Sequence, residues 1–303
     1  MSVLSKISAK PFLKWAGGKG QLIDQMAVHF PSALREGKIK KYFEPFLGGG
    51  ALFFRFFENY DFEEVYLYEL NPTVNICYQV IKRDVKRLIK ELKQLELEYL
   101  SKSDSLREKY FYEKRDEFNG YLRKKVANNL VRRSALLIFL NKTCFNGLYR
   151  VNSQGEFNVP FGRYKNPTIC HEENLYAVHE ALQNAEIVCG DFALCLEKAD
   201  NQSFVYFDPP YRPISTTANF NSYSKDSFDD LEQKRLRKVF SDLDKKDAYV
   251  MLSNSDPKNG NSGDNFFDDL YRGYHIERLI ATRLINCNAD RRGAITEILV
   301  MNY

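Results

Sequence analysis

The chain has 303 residues, with 44 Lys and Arg against 40 Asp and Glu and a formal net charge of +4. This length suffices for one large core, or for one core with a smaller appended domain. No apolar run approaches the roughly 18–20 residues of a membrane-spanning helix. The N-terminus lacks the apolar stretch of a signal peptide, so the sequence predicts a cytosolic protein.

Cysteines and histidines show no spacing typical of a metal site or a redox motif. The four histidines are scattered along the chain, and no two cysteines form a C-x-x-C pair. We therefore expect no structural metal and no histidine-based catalytic triad. The cysteines are expected to be reduced thiols and lie at positions 77, 144, 170, 189, 195 and 287.

Positive charge is concentrated in the middle third of the chain. Residues 71–165 carry 20 Lys and Arg but only 10 Asp and Glu, whereas the remainder is net acidic. A basic segment in a nearly neutral chain favours a polyanionic partner, most simply nucleic acid. Because much of the surplus lies on sequence with helical periodicity, solvated helix faces are the alternative explanation.

Short apolar runs rich in β-branched and aromatic residues alternate with amphipathic segments of helical period, such as residues 231–243. Runs this short are typical of buried strands, and strands that alternate with helices predict an α/β fold with a mainly parallel sheet. The predicted strands are 42–46, 65–68, 187–189, 204–207, 249–252, 275–280 and 298–301.

One long interval, between positions 72 and 166, breaks this alternation. Residues 76–100 and 131–140 have the apolar spacing of helices. A polar loop around Gln154 and Gly155 predicts a hairpin or an ordered loop. We therefore predict an inserted domain at 72–166, flanked by a core domain built from 1–71 and 167–303.

The most informative stretch follows the predicted strand 204–207 and reads Asp208, Pro209, Pro210, Tyr211. Proline fixes φ and removes a backbone donor, so the carbonyls of this turn remain free to accept hydrogen bonds. A carboxylate, free carbonyls and a flat ring together suit an exocyclic amine on a planar base, which the tyrosine would stack against. The alternative is a proline-rich turn in which the aspartate caps the segment that follows.

Two glycine clusters could hold a nucleotide-like ligand, one at 12–19 and the other at 42–50, whose glycines follow a predicted strand. A strand, glycine turn and helix in succession bring backbone amides close to a bound ligand, although structural turns are the alternative. Glu69 lies at the end of the next predicted strand, about 20 residues after the glycine turn. An acidic residue at this position is placed to bind the ribose hydroxyls of an adenosyl cofactor. The alternative is an acidic surface residue that follows a strand. Because no Ser or Thr follows Lys19, the first cluster is not a phosphate-binding P-loop.

Taken in order, these segments resemble the DNA adenine-N6 methyltransferases of the Dam type over nearly the whole chain. The matching motifs are FLKWAGGK at 12–19, EPFLGGG at 44–50, ELN at 69–71, the loop NGLYR to GEFNVPFGRYK at 146–165, DPPY at 208–211 and TANF at 217–220. The resemblance implies a Rossmann-like, seven-stranded S-adenosylmethionine domain with an inserted helical target-recognition domain, in a cytoplasmic enzyme of the bacterial cytosol and nucleoid.

The resemblance also implies a set of cofactor-binding residues. Glu69 takes the ribose-binding position, where the Dam pattern more often has aspartate, and Asp191 and Phe192 border the cofactor adenine. The expected S-adenosylmethionine contacts are Trp15, Ala16, Gly17, Gly18, Lys19, Pro45, Phe46, Gly48, Glu69, Asp191, Phe192 and Asp208.

The chemistry expected at Asp208 follows from the two reactants. A sulfonium methyl group is already electrophilic, so the enzyme must supply alignment and a better nucleophile. Hydrogen bonds from the adenine amine to the Asp208 carboxylate and the Pro209 carbonyl would favour a tetrahedral N6, whose developing charge the carboxylate stabilises. Tyr211 would stack on a base flipped out of the duplex, and neither a dedicated base nor a metal is required.

In the Dam family the loop of the insertion reads GATC, which implies the same target here. Arginine fits a guanine edge with two hydrogen bonds, and leucine or proline suits a thymine methyl or an intercalating wedge. The alternative is a loop that only docks on the catalytic domain. The residues implied to contact double-stranded DNA are Lys14, Phe145, Asn146, Leu148, Arg150, Pro160 and Arg163, with Arg291 and Arg292 either on flanking phosphates or simply exposed.

Three other functions fit parts of the pattern. A methyltransferase of the same fold could act on structured RNA or on a protein glutamine amide, which also presents a planar amine. A DNA-binding module without activity and a glycine-loop kinase fit less of the sequence. The prediction is therefore a site-specific adenine DNA methyltransferase without metal or membrane attachment, with a functional link to a cognate GATC restriction endonuclease.

Overall fold

The structure is a computed structural model that describes residues 8–15, 17, 19–124, 128–212, 228–282 and 294–303. The helices are α1 (Ile23–Ala27), α2 (Ser32–Arg35), α3 (Ala51–Asn59), α4 (Pro72–Leu100), α5 (Asp104–Lys124), α6 (Leu130–Thr143), α7 (Glu172–Leu182), α8 (Asp230–Asp244) and α9 (Phe266–Leu270). The strands are β1 (Lys41–Glu44), β2 (Glu64–Tyr68), β3 (Ala185–Val188), β4 (Ser203–Phe207), β5 (Tyr249–Ser255), β6 (His275–Thr282) and β7 (Ala294–Met301).

In the described part of the chain, seven strands form one sheet in the order β3-β2-β1-β4-β5-β7-β6. β1 pairs in parallel with β2 and β4, and β4 pairs in parallel with β5. β7 runs antiparallel to both β5 and β6. This topology confirms the predicted Rossmann-like α/β fold with a mainly parallel sheet. Each predicted strand is present, but β1 and β3 end earlier than predicted, at Glu44 and Val188, and β5, β6 and β7 extend beyond their predicted bounds.

The position of β4 explains where a ligand would bind. Every residue of β4 is buried, as expected for a central strand that is covered on both faces. β1 and β4 are neighbours although β2 and β3 lie between them in the chain, so the direction in which strands are added reverses there. In open parallel sheets, ligands bind beyond the carboxyl ends of the strands at such a switch point. Asp208, which directly follows β4, therefore lies where this fold binds ligands.

The described residues fall into two compact units. The first unit combines the ranges Met1–Gly18, Gly48–Glu58 and Asn71–Ile187. The second unit combines the ranges Lys19–Leu47, Asn59–Leu70 and Val188–Tyr303. The functional division into a catalytic domain (1–71 and 167–303) and a target-recognition insertion (72–166) stays a prediction.

Helices α4 to α6 hold the first unit together. α4 begins after Asn71, whose side chain accepts hydrogen bonds from the amides of Thr73 and Val74, and Pro72 occupies the first turn. α6 is buried from Arg133 to Asn141, as predicted for residues 131–140. On α5, the side-chain amide of Asn119 pairs with both the N–H and the C=O of Phe157, at 2.8 and 3.1 Å. The polar loop after α6 is therefore anchored to α5 at Phe157.

The core of the second unit lies between the sheet and α8. The buried face of α8 consists of Gln233, Leu236, Val239, Phe240 and Leu243, at the helical spacing that predicted this element. Its apolar members pack in one cluster with strand residues such as Val205 and Leu252. Among the helices of the described ranges, none is both long and apolar enough to cross a bilayer.

Candidate functional site

Asp208 follows the last residue of β4, and its two carboxylate oxygens have different surroundings. Oδ1 lies 2.7 Å from the ammonium of Lys19 and accepts a hydrogen bond of 3.2 Å from the hydroxyl of Ser253 on β5. Within the described ranges no donor engages Oδ2. The Asp208 side chain is 22% exposed, whereas that of Lys19 is 3% exposed. Among the described residues, one oxygen is therefore held in place and the other remains available to a ligand donor.

Burial and charge act in opposite directions on this ion pair. Burial raises the pKa of Asp208 above its ordinary value, and the adjacent Lys19 ammonium only partly offsets that effect. Burial by itself would lower the pKa of Lys19, but attraction to Asp208, and then to Tyr211 and Glu297, raises it overall. Lys19 is therefore protonated at neutral pH and donates to the carboxylate.

Tyr211 is held at its hydroxyl end. The hydroxyl donates to Oε2 of Glu297 at 2.7 Å and accepts a hydrogen bond from the Lys19 ammonium. That ammonium also lies 3.4 Å from Oε2 of Glu297 and 4.5 Å from the centre of the Tyr211 ring. Pro209 is buried and Pro210 is exposed, and the Pro210 carbonyl accepts a 3.4 Å hydrogen bond from Gln233. The predicted motif thus forms one connected polar site with Lys19.

Sequence reasoning missed Ser253 and Glu297. Ser253 is the first of three polar residues at the end of β5, Glu297 directly follows Thr296 in β7, and neither belongs to a recognisable motif. The one available signal was the carboxylate itself, because an isolated Glu in the apolar strand β7 is costly to bury without a partner. Only the pairing of β5 with β4 and with β7 brings these side chains to Asp208.

An aromatic cluster lies near the carboxyl ends of the strands in the second unit. The ring of Phe46 stacks on that of Phe192, with centroids 5.2 Å apart, and meets Phe228 edge-on at 5.5 Å. The guanidinium of Arg235 lies over the Phe192 ring at 4.0 Å. Two residues predicted to contact the cofactor, Phe46 and Phe192, are therefore in mutual contact, and Pro45 directly precedes one of them.

Asp191 caps the short helix that carries Phe192. Its side chain accepts a hydrogen bond from the amide of Ala193 at 2.9 Å. Arg235 of α8 donates to both carboxylate oxygens, at 2.8 and 2.6 Å. These Arg235 hydrogen bonds, more than the opposing effect of burial, lower the pKa of Asp191. After Ser253 and Glu297, Arg235 is a third functional candidate that no sequence motif indicated.

Glu69 directly follows β2 and is 8% exposed. Its backbone amide donates to the carbonyl of Val188 at 3.0 Å, which ties the end of β2 to the end of β3. An adenosyl compound carries ribose hydroxyls, which suit a buried acid such as Glu69 after β2. Its adenine suits the acid after β3, Asp191, and the stacked rings of Phe46 and Phe192. The chemistry of these residues therefore fits S-adenosylmethionine.

In the first unit, Trp15 packs directly on the second glycine cluster. Gly48 has a φ of +48°, and a Cβ at that position would come within 2.6 Å of Nε1 of Trp15. The Gly48 carbonyl accepts a hydrogen bond of 3.0 Å from the hydroxyl of Tyr78. Trp15 also stacks with Tyr149, at 6.2 Å between ring centroids. Close approach of the indole therefore requires glycine at position 48; Gly17 also has a positive φ, of +78°.

The loop between 141 and 165 is organised around Asn141. Its side chain accepts from the amide of Lys14 at 2.7 Å and donates to the carbonyls of Lys14 and Gly147 at 2.9 and 2.8 Å. The Lys14 ammonium lies 4.3 Å from the centre of the Tyr164 ring. Isolated bridges join Cys144 to Phe161 and Val151 to Phe157, so the segment is an ordered hairpin-like loop, as predicted.

The predicted DNA contacts of this loop are mostly accessible. Phe145 is 52% exposed, and its amide donates to the carbonyl of Pro160 at 2.8 Å. Arg150 is exposed, and Leu148 and Arg163 are also accessible at least in part. Asn146 and Arg163 both adopt left-handed backbone conformations, with φ of 54° and 56°. Such non-glycine conformations are uncommon and cluster at functional sites.

Several predicted residues lie outside the described ranges. These are Ala16, Gly18, the TANF segment at 217–220, Arg291, Arg292 and Cys287. The other five cysteines form no disulfide with one another. Within the described ranges, no cluster of His, Cys, Asp and Glu is arranged to hold a metal ion.

Comparison with known proteins identifies the family. A family model described as D12 class N6 adenine-specific DNA methyltransferase matches residues 15–285. The chain is 49% identical to the type II methyltransferase M.MjaIII of Methanocaldococcus jannaschii, over 98% of this chain and all of that protein. It is 37% identical to the type II methyltransferase M1.LlaDCHI of Lactococcus lactis subsp. cremoris, over 99% and 97% of the two chains. It is 33% identical to a DNA adenine methylase of Haemophilus influenzae, over 99% and 96%.

These similarities extend over whole chains, so they include both compact units. They support DNA over structured RNA or a protein amide as the substrate, and they support an active enzyme over an idle DNA-binding module. S-adenosylmethionine is the methyl donor of this family, in agreement with the groups after β2 and β3. The chain belongs to the D12 class of N6 adenine-specific DNA methyltransferases.

Proposed function

We propose that this adenine methyltransferase acts within GATC duplexes and that Asp208 binds the amine of the flipped adenine. The observation that carries the proposed role of Asp208 is the asymmetry of its carboxylate, in which Lys19 and Ser253 engage Oδ1 while Oδ2 accepts from no described residue. An exocyclic amine is the donor that the open oxygen would accept from. The flanking Tyr211 ring supplies a surface on which the base would stack.

Asp208 and Pro209 would convert a poor nucleophile into a better one. The N6 lone pair is delocalised into the adenine ring, and hydrogen bonds from its two hydrogens to Asp208 Oδ2 and the Pro209 carbonyl favour a tetrahedral nitrogen. The bound cofactor supplies an electrophilic methyl group. As the new N–C bond forms, the bond between the methyl group and the cofactor sulfur would break with its electron pair staying on sulfur, and S-adenosylhomocysteine would leave. Asp208 would stabilise the positive charge on nitrogen, and the surplus proton would then be released to water.

The cofactor roles inferred from the motifs are part of the proposal. The burial of Glu69 supports a contact with the ribose hydroxyls, and the Phe46–Phe192 stack supports a surface for the adenosyl group. Asp191 would accept from the cofactor adenine amine. The remaining proposed contacts are Trp15, Ala16, Gly17, Gly18, Lys19, Pro45, Gly48 and Asp208.

The loop at 141–165 would read the target. Arg150 and Arg163 are proposed to contact guanine edges, and Leu148 and Pro160 to contact a thymine methyl or wedge between bases. Lys14 would lie near the outer guanine. Phe145 and Asn146 would occupy the gap left by the flipped base, which the exposure of the Phe145 ring supports. The insertion at 72–166 would therefore serve as the target-recognition domain.

A cognate restriction endonuclease that cuts GATC is the proposed functional partner. The names of two relatives, both type II methyltransferases, support this partnership. A methyltransferase and a nuclease that read one sequence need not bind each other. The proposal therefore concerns a shared target and not a physical complex.

Methylation of defined duplexes tests the proposed function. The purified enzyme and labelled S-adenosylmethionine are incubated with a GATC duplex, with four duplexes that each change one base pair of GATC, and with an RNA duplex of the same sequence. We expect N6-methyladenine only in the GATC duplex, together with protection from a GATC nuclease that methylation blocks. Equal incorporation into an altered duplex would contradict GATC reading, whereas loss of activity in Asp208→Ala separately tests the catalytic role.

A further inference from the structure

Glu297 belongs to no motif, yet it contacts two members of the site around Asp208. Its Oε2 accepts from the Tyr211 hydroxyl at 2.7 Å and lies 3.4 Å from the Lys19 ammonium, and its side chain is 11% exposed. We propose that Glu297 is a positioning residue for methyl transfer, which offsets the charge of Lys19 and orients Tyr211. This inference rests on the role proposed above for Asp208.

The charges of the cluster explain why a second carboxylate matters. Lys19 lies 2.7 Å from Asp208, so this pair alone carries no net charge and attracts a developing cation only weakly. With Glu297 included, the three charged side chains have one net negative charge. The adenine nitrogen becomes positive as the methyl group arrives, so Glu297 restores the electrostatic stabilisation that Lys19 would otherwise cancel.

The backbone around Glu297 makes it a rigid support. β7 pairs with both β5 and β6, and Glu297 lies opposite Ser255 on one side and Leu279 on the other. Its carboxylate orients the hydroxyl end of Tyr211, while the two prolines restrict the backbone that precedes the ring. A stacking ring held at both ends loses less freedom when the base arrives.

The decisive comparison is Glu297→Gln against Glu277→Gln. Glutamine retains an acceptor for the Tyr211 hydroxyl but removes the charge. Glu277 lies on the adjacent strand β6, its side chain is 41% exposed, and it pairs with His275 at 2.6 Å, so its variant is the matched control. We expect the single-turnover rate of E297Q to fall about 10- to 100-fold, with the Kd values for the GATC duplex and S-adenosylhomocysteine within about threefold of wild type. E277Q should match wild type.

The pH profile separates electrostatics from packing. Burial raises the pKa of Asp208, and the negative charge of Glu297 raises it further. Because the ionised carboxylate is the active form, the methylation rate should increase as pH rises through the pKa of Asp208. Removing the charge of Glu297 should therefore move the acid limb of the single-turnover rate to lower pH, even though the plateau falls. The titratable groups that face Asp208 are Lys19, Glu297 and the phenols of Tyr42, Tyr206 and Tyr211.

Each outcome decides the question. A wild-type rate in E297Q, a loss confined to DNA or cofactor affinity, or an unmoved acid limb overturns the inference. If E297Q does not fold, Glu297→Asp decides: a rate within about tenfold of wild type supports the inference, and a larger loss overturns it. Asp208→Asn distinguishes the two proposals. If D208N is active, the proposed role of Asp208 is wrong. If D208N is inactive while E297Q is fully active, only the proposed role of Glu297 is wrong.

Discussion

Asn158 holds one edge of the Arg150 guanidinium. Its side-chain oxygen accepts from Nε of Arg150 at 2.7 Å, and its backbone carbonyl accepts from Nη2 at 3.3 Å. Nη1 donates to none of the residues that the structure describes. The Nη1 and Nη2 end of the guanidinium therefore keeps the two-donor pattern that matches O6 and N7 of guanine.

We expect Arg150→Ala to relax base preference at one position of the target. A two-hydrogen-bond contact between arginine and guanine is worth about 1–3 kcal/mol of discrimination. Asn158→Ala should relax the same position to a smaller degree, because the guanidinium is retained but no longer oriented. The measurement is kcat/KM on duplexes that each change one base pair, with Arg123→Ala as a control, since Arg123 is exposed and pairs with Glu156. An unchanged preference in R150A would refute the assignment.

Asp208→Ala should abolish methyl transfer and leave duplex binding largely intact. The variant removes the open oxygen proposed to accept from N6, and we expect a single-turnover rate at least about a thousandfold lower. DNA binding is measured by fluorescence anisotropy on a GATC duplex in the presence of S-adenosylhomocysteine. Full activity in this variant would refute the mechanism.

Replacements of Tyr211 should separate stacking from hydrogen bonding. Tyr211→Ala removes the ring and should lower the rate strongly, since stacking on an aromatic side chain is worth about 1–3 kcal/mol per base. Tyr211→Phe keeps the ring and loses only the hydroxyl bonded to Glu297 and Lys19, so its loss should be smaller. Fluorescence of 2-aminopurine at the target position monitors flipping. Equal losses in the two variants would argue against stacking.

Gly48→Ala should destabilise the first unit more than Gly155→Ala does. Both glycines have positive φ, so both replacements carry the same kind of backbone strain. Only at Gly48 would the new Cβ meet Trp15, whereas nothing lies within 4 Å of the site at Gly155. Overpacking of this kind typically costs about 1–3 kcal/mol, so the free energy of unfolding should differ by that amount between the variants. Denaturant titration measures it, and equal stabilities would exclude the predicted clash.

DNA affinity should weaken as pH rises from 7 to 9. Burial, and to a smaller degree the charge of Lys14, lowers the pKa of Lys142 to about 8. The Lys142 ammonium is therefore charged below that pH and neutral above it. A phosphate contact made by Lys142 would be lost as pH rises, so the slope of log affinity against log salt concentration should fall by about one unit between pH 7 and 9. Lys142→Arg should keep its charge and flatten the pH dependence. An identical pH dependence in wild type and K142R would contradict a phosphate contact at Lys142.

Local patterns were sufficient to predict the seven strands and the helix at 231–243. Strand and helix periodicities are properties of short segments, so they can be read without knowing what packs against them. The exact ends were less predictable. β7 begins at Ala294, ahead of the predicted start at Ile298, because its pairing with β6 supports the additional residues.

The sequence by itself determined the fold type, the family and the motif at Asp208, because these depend on the order and spacing of residues along the chain. Only the tertiary structure decided which side chains complete the site. Lys19 and Tyr211 are 192 positions apart, and Tyr211 and Glu297 are 86 apart, yet their polar atoms are in hydrogen-bond contact. Strand order brings them together, and no local pattern encodes that order. The function proposed for the Glu297 carboxylate in β7 therefore depends on its contacts with Tyr211 and Lys19, which the sequence around Glu297 does not reveal.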